Sequence, residues 1–133
     1  MTPFPHTVDV DVPLAEAEAM LVRGGFHHLP VLDGHLIVGV LTPHDVVLAH
    51  QVRDEGNPDK PISLRAAVER VEPLVVDIHD RLEAVVLTMA ARRATHALVT
   101  RQGRLAGILT TTDVCRVLAA LLTPDEDVSP ESA

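Results

Sequence analysis

The 133-residue chain is long enough for one domain with a sizeable core, and its 47% hydrophobic but only 2% aromatic composition predicts a core of Val, Leu, Ile and Ala. No apolar run approaches the ~18–20 residues of a membrane span, the N-terminus lacks a signal-peptide pattern, and the single cysteine suits a reducing compartment, so we expect a cytoplasmic protein with no membrane partner. The net charge of −8, without a dense basic patch or stacking aromatics, argues against nucleic acid as a partner.

The first half of the chain predicts the order strand, helix, strand, strand, helix from its apolar spacing. Two glycines follow the first helix, and an Asp-Gly pair separates the next two strands as in a tight hairpin. A stretch rich in Pro, Gly and Asp then indicates a linker, after which Ser63 is placed to cap a short helix. The predicted elements are a strand near 8–10, a helix over 14–23, strands over 29–32 and 36–41, a helix over 43–53, a linker over 54–61 and a helix over 64–71.

The second half predicts the same order of elements. Its last helix carries four aliphatic residues on one face that we expect to pack into the core, namely Val114, Val117, Leu118 and Leu121. The end of the chain holds four acids and no base, which predicts a disordered tail. The predicted elements are a strand over 74–78, a helix over 81–93, strands over 97–100 and 105–109, and a helix over 112–122.

The two halves are one segment written twice, because sliding the chain by 68 positions aligns them without a gap. Identical residues then coincide at His28 and His96, Val31 and Val99, Gly39 and Gly107, Leu41 and Leu109, Thr42 and Thr110, Asp45 and Asp113, and Val46 and Val114. Neither half would bury its apolar faces alone, so we expect an α+β fold in which two tandem β-α-β-β-α repeats pack with pseudo-twofold symmetry. The predicted organisation is repeat 1 over 7–54, a linker with a short helix over 55–71, repeat 2 over 72–122 and an acidic tail over 123–133.

Both repeats carry a Thr-x-x-Asp pattern where a strand passes into a helix. The pairs are Thr42 with Asp45 and Thr110 with Asp113. This spacing is typical of a capping box, and Pro43 at the first helical position agrees with that interpretation. The same atoms suit a ligand, because a helix N-terminus attracts phosphate and a carboxylate can accept hydrogen bonds from ribose hydroxyls. The pattern alone leaves both roles open.

The doubled unit resembles a known family. His-Leu-Pro-Val-Leu-Asp over 28–33, followed by Gly-Val-Leu-Thr-Pro-His-Asp over 39–45, closely resembles the cystathionine-β-synthase (CBS) domain, and two tandem copies resemble a Bateman module. The resemblance covers roughly residues 7–122. It implies two β-α-β-β-α units packed through their sheets, frequent association into disc-like homodimers, and a regulatory sensor of AMP, ADP, ATP, S-adenosylmethionine or a related ligand.

The resemblance also assigns residues to the expected site. The ribose- and phosphate-contacting positions of the family match Thr42, Asp45, Thr110 and Asp113. Its adenine-side contacts correspond to Val8, Val10 and His28 in repeat 1 and to Val76, Ile78 and His96 in repeat 2. Two departures are Leu98, which replaces the strand proline of the other repeat, and the acids Asp9 and Asp77 close to the expected ligand.

Charge is divided unequally between the repeats. Residues 8–54 hold seven acids against two arginines, which gives −5, whereas residues 76–122 hold four acids against six arginines, which gives +2. If a phosphorylated ligand binds, we therefore expect the arginine-bearing repeat 2 to hold its phosphates, with Arg92, Arg93, Arg101 and Arg104 as the candidates.

Metal and catalytic chemistry find little support in the residues. Eight histidines are present, yet none has H-x-x-x-H spacing and Cys115 has no second thiol, so we expect no metal site and a buried Cys115. No nucleophile has a recognisable base and no phosphate loop occurs, so we expect no enzyme and no catalytic residue. Two main hypotheses remain, an adenine-ligand sensor acting on an unknown regulated protein and a ligand-free module for dimerisation or protein interaction. A metal- or redox-linked regulator is a third alternative.

Overall fold

The computed structural model describes residues 2–3, 6–55 and 62–124, so most of the expected linker and of the expected acidic tail lies outside the described residues. Twelve elements follow one another in the described parts of the chain. They are β1 (Thr2–Pro3), β2 (Val8–Asp9), α1 (Leu14–Gly24), β3 (Leu29–Asp33), β4 (Leu36–Leu41), α2 (Pro43–Glu55), α3 (Leu64–Val68), β5 (Val75–Asp77), α4 (Leu82–Arg92), β6 (His96–Arg101), β7 (Arg104–Thr110) and α5 (Thr111–Leu122). The predicted α+β order is confirmed in both repeats.

The two sheets repeat each other strand by strand. In repeat 1, β2 runs parallel to β3 and β3 antiparallel to β4, and in repeat 2 the strands β5, β6 and β7 pair in the same way. Val31 lies opposite Gly39, and its counterpart Val99 lies opposite Gly107. An irregularity in the ladder follows both valines. The duplication seen in the sequence is therefore preserved in the backbone register.

The segment that precedes each repeat crosses to the other repeat. Strand β1 extends the repeat 2 sheet by pairing with β7, where Pro3 lies opposite Gly107. Helix α3 packs on β4 at the equivalent glycine, since a Cβ atom on Gly39 would lie only 2.8 Å from the Val68 carbonyl oxygen. The segments that precede the repeats, β1 and α3, thus interlock the two repeats. The repeat boundaries predicted from the sequence do not show this exchange.

Aliphatic side chains fill two cores and the contact between them, as the composition predicts. The core of repeat 1 contains Val8, Val10, Ala17, Leu21, Leu29, Val31, Leu41, Val46, Ala49, Leu64, Ala67 and Val68. The core of repeat 2 contains Leu74, Val85, Met89, Ala97, Val99 and Leu109. A third cluster joins Val40 of β4 to Leu98 and Ile108 of repeat 2. The repeats therefore pack on each other through their sheets. No helix in the described residues is long and apolar enough to cross a bilayer.

Helix α5 differs from its repeat 1 counterpart α2. Of its predicted apolar face, Val114 packs against the core of repeat 2, but the predicted burial of the other three residues is wrong. Val117, Leu118 and Leu121 are 43%, 53% and 78% exposed, and Cys115 is exposed as well. Ala49 of α2, the counterpart of Val117, is only 4% exposed. Helix α3 covers α2, whereas within the described chain no equivalent helix lies over α5. The aliphatic face of α5 is left without a cover there.

Candidate functional site

The first candidate group is the Thr42–Asp45 pair at the N-terminus of α2. The Asp45 Oδ2 atom accepts from the Thr42 backbone N–H at 2.9 Å and from the Thr42 hydroxyl at 2.9 Å. The Asp45 N–H in turn donates to Thr42 Oγ1 at 3.2 Å. This reciprocal pattern is a capping box, so the capping role predicted from the sequence is confirmed for repeat 1.

The Thr110–Asp113 pair at the N-terminus of α5 repeats this geometry. Asp113 Oδ2 accepts from the Thr110 N–H at 3.0 Å and from its hydroxyl at 3.1 Å, and the Asp113 N–H donates to Thr110 Oγ1 at 3.2 Å. Burial opposes the ionisation of Asp113, but the bonds from Thr110 together with nearby positive charge, Arg116 included, lower the pKa of this carboxyl. The site of repeat 2 thus holds a carboxylate that stays ionised at neutral pH.

The two acids differ in their other partners. Arg116 lies one turn beyond Asp113, with its Nη1 3.8 Å from Asp113 Oδ1. The residue equivalent to Arg116 in repeat 1 is Leu48, which carries no charge. Among the described residues, Thr42 is the hydrogen-bond partner of the Asp45 carboxylate. Asp45 is therefore better placed than Asp113 to accept a hydrogen bond from a ligand through its second carboxylate oxygen.

His28 and His96 meet where the repeats join. Their ring centroids are 4.7 Å apart and the rings are tilted by 59°. Burial, followed by the neighbouring His27, lowers the pKa of His28. Burial and then His28 lower the pKa of His96 to about 4, although Asp45 opposes this shift. Both rings are thus neutral at neutral pH, and protonating one makes protonation of the other less favourable.

This histidine pair links the two capping boxes. His96 lies directly opposite Thr110 in the β6–β7 ladder, so it adjoins the box of repeat 2. The charge of Asp45 acts on His96 across the repeat boundary, so the box of repeat 1 faces the same region. Of the residues predicted for the site, the structure therefore brings the two threonines, the two aspartates and the two histidines towards one junction.

The four aliphatic residues predicted to line the site are placed differently. Val8 and Val10 are buried in the core of repeat 1, and Val76 and Ile78 are half-buried against the core of repeat 2. The Ile78 N–H donates to the Thr100 carbonyl, four residues along β6 from His96 and therefore roughly 13 Å away. Their side chains face the cores, so a ligand contact at these positions would involve backbone atoms and remains a prediction.

Asp9 and Asp77, which the sequence placed near the ligand, occupy local turns. Asp9 Oδ1 accepts from the Asp11 N–H at 2.9 Å, and Asp77 Oδ1 accepts from the His79 N–H at 2.9 Å. Both carboxylates thus form Asx-type turns at equivalent positions after β2 and β5. These turns lie at the ends of β2 and β5 that point away from the histidine pair. A structural role therefore explains why the acid recurs in both repeats.

Two arginines of the predicted cluster lie far from the capping box of repeat 2. Arg101 and Arg104 flank the β6–β7 turn, six residues from Thr110 along β7 and hence roughly 20 Å away, so their assignment to phosphate is wrong. Arg92 donates to the Glu72 carbonyl at 3.4 Å, and Arg93 ends α4 in a left-handed conformation. The charge count over the whole repeat does not show where along the strands these arginines lie.

A residue that the sequence did not single out adjoins Asp45. A cavity of about 170 Å³ is lined by Asp45, Ala49, Ile62, Ala66, Ala67 and Arg70. The sequence predicts Arg70 inside the helix over 64–71, but α3 ends at Val68 and Arg70 follows it. It belongs to no motif, and only the packing of α3 on repeat 1 brings it to this cavity.

A larger cavity of about 540 Å³ lies between α1, α2 and the start of α3 and includes neither capping box. Its polar lining includes His50 and Glu18, whose side chains are 3.1 Å apart, and Arg65, which pairs with Asp33. Among the described residues, no three His, Cys, Asp or Glu side chains form a group that could hold a metal ion.

Comparisons with known proteins agree with this architecture. The CBS domain family model matches residues 1–51 and 66–120, one match for each repeat. No curated protein matches the sequence. The CBS-domain containing protein ATU1752 from Agrobacterium tumefaciens has a similar structure, with a TM-score of 0.71 and 26% identity over 87% of this chain and 85% of that one.

Two similar structures contain ligands. CBSX2 in complex with AMP has a TM-score of 0.76 and 24% identity, covering 92% of this chain and 95% of that one. The CBS domain pair of MJ0100, in complex with 5′-methylthioadenosine and S-adenosyl-L-methionine, has a TM-score of 0.70 and 22% identity, covering 86% and 91%. The internal repeat, the matched sheets and the family match over both halves lead to one conclusion. The chain belongs to the CBS domain family and contains a tandem pair of its repeats.

Proposed function

We propose that the chain is a regulatory module that binds an adenine-containing ligand, such as AMP, ADP, ATP or S-adenosylmethionine, in the cleft between its repeats. The observation that carries this proposal is the pair of matched capping boxes joined by the His28–His96 contact. Two structurally similar CBS pairs hold AMP or S-adenosylmethionine with 5′-methylthioadenosine, which supports a ligand of this class.

Each capping box supplies groups that suit a ribose phosphate. The helix N-terminus favours negative charge. The Thr42 and Thr110 hydroxyls give their protons to Asp45 and Asp113, so each oxygen keeps one lone pair that can accept from a ribose hydroxyl. Asp45 uses one oxygen for its capping bonds, and its other oxygen can accept from a ribose hydroxyl. On the adenine side we keep His28 and His96 as proposed contacts, with backbone atoms contributed by Val8, Val10, Val76 and Ile78.

The proposed module regulates and does not catalyse. A ligand that touches both repeats shifts the protein towards the packing arrangement that binds the ligand more tightly. A regulated partner protein would sense this change in how the two repeats pack. The contact cluster Val40, Leu98 and Ile108 is the joint at which such a change in packing would occur. We further propose that the module works as a cytoplasmic homodimer.

Ligand binding can be tested by thermal unfolding with adenosine, AMP, ADP, ATP and S-adenosylmethionine. A ligand that binds only the folded state raises the unfolding midpoint by mass action. Asp45→Asn and Asp113→Asn keep an oxygen acceptor for the cap but lose the charge, so we expect them to reduce binding. Asp80→Asn, a change in an exposed turn, is the matched control. No shift with any ligand, confirmed by calorimetry, would show that the sensor proposal is wrong.

A ligand-free interaction module is the second candidate, and the uncovered face of α5 favours it. One side of this helix carries four exposed aliphatic residues, namely Val117, Leu118, Leu121 and Leu122. A 12-residue helix is marginal by itself in water, so a covering partner would stabilise α5. The proposed homodimer and the ligand sensor are compatible, because α5 carries both the Asp113 box and this face.

A further inference from the structure

The cavity beside Asp45 contains one acid and one base. Asp45 and Arg70 line it together with aliphatic side chains, and its volume is about 170 Å³. This volume is below the 300–1,000 Å³ typical of a pocket for a whole drug-sized ligand. It suits the ribose and phosphate part of a nucleotide, with the base lying outside this cavity.

Helix α3 holds Arg70 in place. Ser63 caps the helix by accepting from the Ala66 N–H at 3.1 Å, and Leu64 and Val68 are buried in the core of repeat 1. Arg65 pairs with Asp33 of the β3–β4 hairpin at 3.0 Å. Since Arg70 is the second residue after the helix, its backbone is fixed relative to the box of repeat 1.

The sequence position equivalent to Arg70 differs in the segment that crosses to repeat 2. The 68-residue shift places Arg70 on Thr2, so the corresponding position carries no charge. Asp113 has an arginine on its own helix, where Arg116 Nη1 lies 3.8 Å from Asp113 Oδ1. An arginine that pairs with the carboxylate competes with a ligand for it, whereas Arg70 lies across a cavity that Asp45 also lines.

We propose that Arg70 is the anion-binding residue of the repeat 1 site and makes that site selective for a phosphorylated adenosine over a neutral one. This inference rests on the proposed function. Asp45 accepts from the ribose hydroxyls, and the planar guanidinium of Arg70 donates to the phosphate, which offsets the repulsion between the phosphate and Asp45. The acidic repeat 1, rather than the arginine-rich repeat 2, then holds the phosphate.

Calorimetry with AMP and adenosine on the full chain tests this inference. In Arg70→Gln we expect the affinity for AMP to fall by about tenfold or more, because a charge-assisted bond is lost, while the affinity for adenosine stays unchanged. Arg101→Gln, at the far end of the repeat 2 sheet, is the matched control and should alter neither. The same titrations in an Asp113→Asn background assign the effect to the repeat 1 site.

The outcomes separate this inference from the proposed function. Equal losses of AMP and adenosine affinity in Arg70→Gln, or an unchanged AMP affinity, would overturn the role of Arg70 while adenine binding stands. A selective AMP loss in Arg101→Gln would overturn it as well. If the unmodified chain binds neither ligand, both the proposed function and this inference fail. Arg70 is exposed, and an unchanged thermal midpoint without ligand verifies that the variant is folded.

Discussion

His28 and His96 occupy equivalent positions of the two repeats and contact each other, with ring centroids 4.7 Å apart. A contact between equivalent residues places them beside the pseudo-twofold axis of the molecule. Burial lowers the pKa of both rings, and His28 lowers that of His96 further. The junction between the repeats is therefore most stable when both imidazoles are neutral.

The first prediction concerns the pH dependence of stability. The pKa of His96 falls from 6.5 to about 4 on folding, so the neutral ring is favoured in the folded state. Its stabilising contribution is present above pH 6.5 and is lost as the pH falls towards 4. After allowance for solvent screening of a half-buried ring, we expect a loss on the order of 1–2 kcal/mol.

Urea unfolding at pH 7.5, 6 and 5 measures this effect. His96→Asn should show a smaller loss between pH 7.5 and 5 than the unmodified chain, whereas His35→Asn, at an exposed turn, should show the same loss. An identical pH dependence in His96→Asn and the unmodified chain would contradict the prediction. Comparing variants removes the contribution of the carboxylates that all three share.

The second prediction concerns the capping boxes. Thr110→Ala removes the hydroxyl that accepts from the Asp113 N–H, so we expect the free energy of unfolding to fall by about 1 kcal/mol. Thr42→Ala should cost a similar amount, because its bonds have nearly the same lengths. Thr111→Ala, one position later on an exposed helical turn, is the control and should change stability little. Equal effects of Thr110→Ala and Thr111→Ala in urea unfolding would be inconsistent with the capping role.

The third prediction follows from the close approach of α3 to β4. A methyl group at position 39 would lie 2.8 Å from the Val68 carbonyl oxygen, so Gly39→Ala must push α3 away. We expect a loss of about 1–3 kcal/mol, as for other overpacked contacts. Hydrogen exchange should show faster exchange at the amides of α3, with α4 as the internal control. Unchanged exchange in α3 would mean that the helix accommodates the methyl group without moving.

Local patterns were sufficient to predict the order of the elements within each repeat, but not β1, which lies outside the predicted repeats. The spacing of apolar residues gave α1 over 14–23, against Leu14–Gly24 in the structure, and the Thr-x-x-Asp spacing predicted both capping boxes. These features depend on residues a few positions apart. Because the chain is duplicated, the elements predicted in one repeat could be compared with those predicted in the other. The pseudo-twofold packing followed because neither half could bury its core alone.

Features that depend on packing between distant segments could not be predicted in this way. The spacing that put Leu118 on an apolar face is correct, yet whether that face is buried depends on a covering helix, which among the described residues lies over repeat 1. The same crossing of α3 brings Arg70 to Asp45. Arg101 and Arg104 show the opposite case, where a charge count over a whole repeat hides their position at the far end of the sheet.

The last prediction concerns the proposed homodimer. Leu118 and Leu121 lie next to each other on the uncovered face of α5, and burying them against a second copy would remove apolar surface from water at both subunits. We therefore expect the unmodified chain to be a dimer by light scattering, and Leu118→Glu to be a monomer with a lower unfolding midpoint.

Leu36→Glu is the matched control for that change, because Leu36 is 72% exposed but lies in the β3–β4 hairpin and not on a helix face. It should remain a dimer with an unchanged midpoint. If both variants and the unmodified chain are monomers at high concentration, α5 is covered by another protein or by nothing, and the homodimer is excluded. If Leu118→Glu alone dissociates but still binds AMP, dimerisation and ligand binding are separate properties of the α5 helix, since the box at its N-terminus does not require the face near its C-terminus.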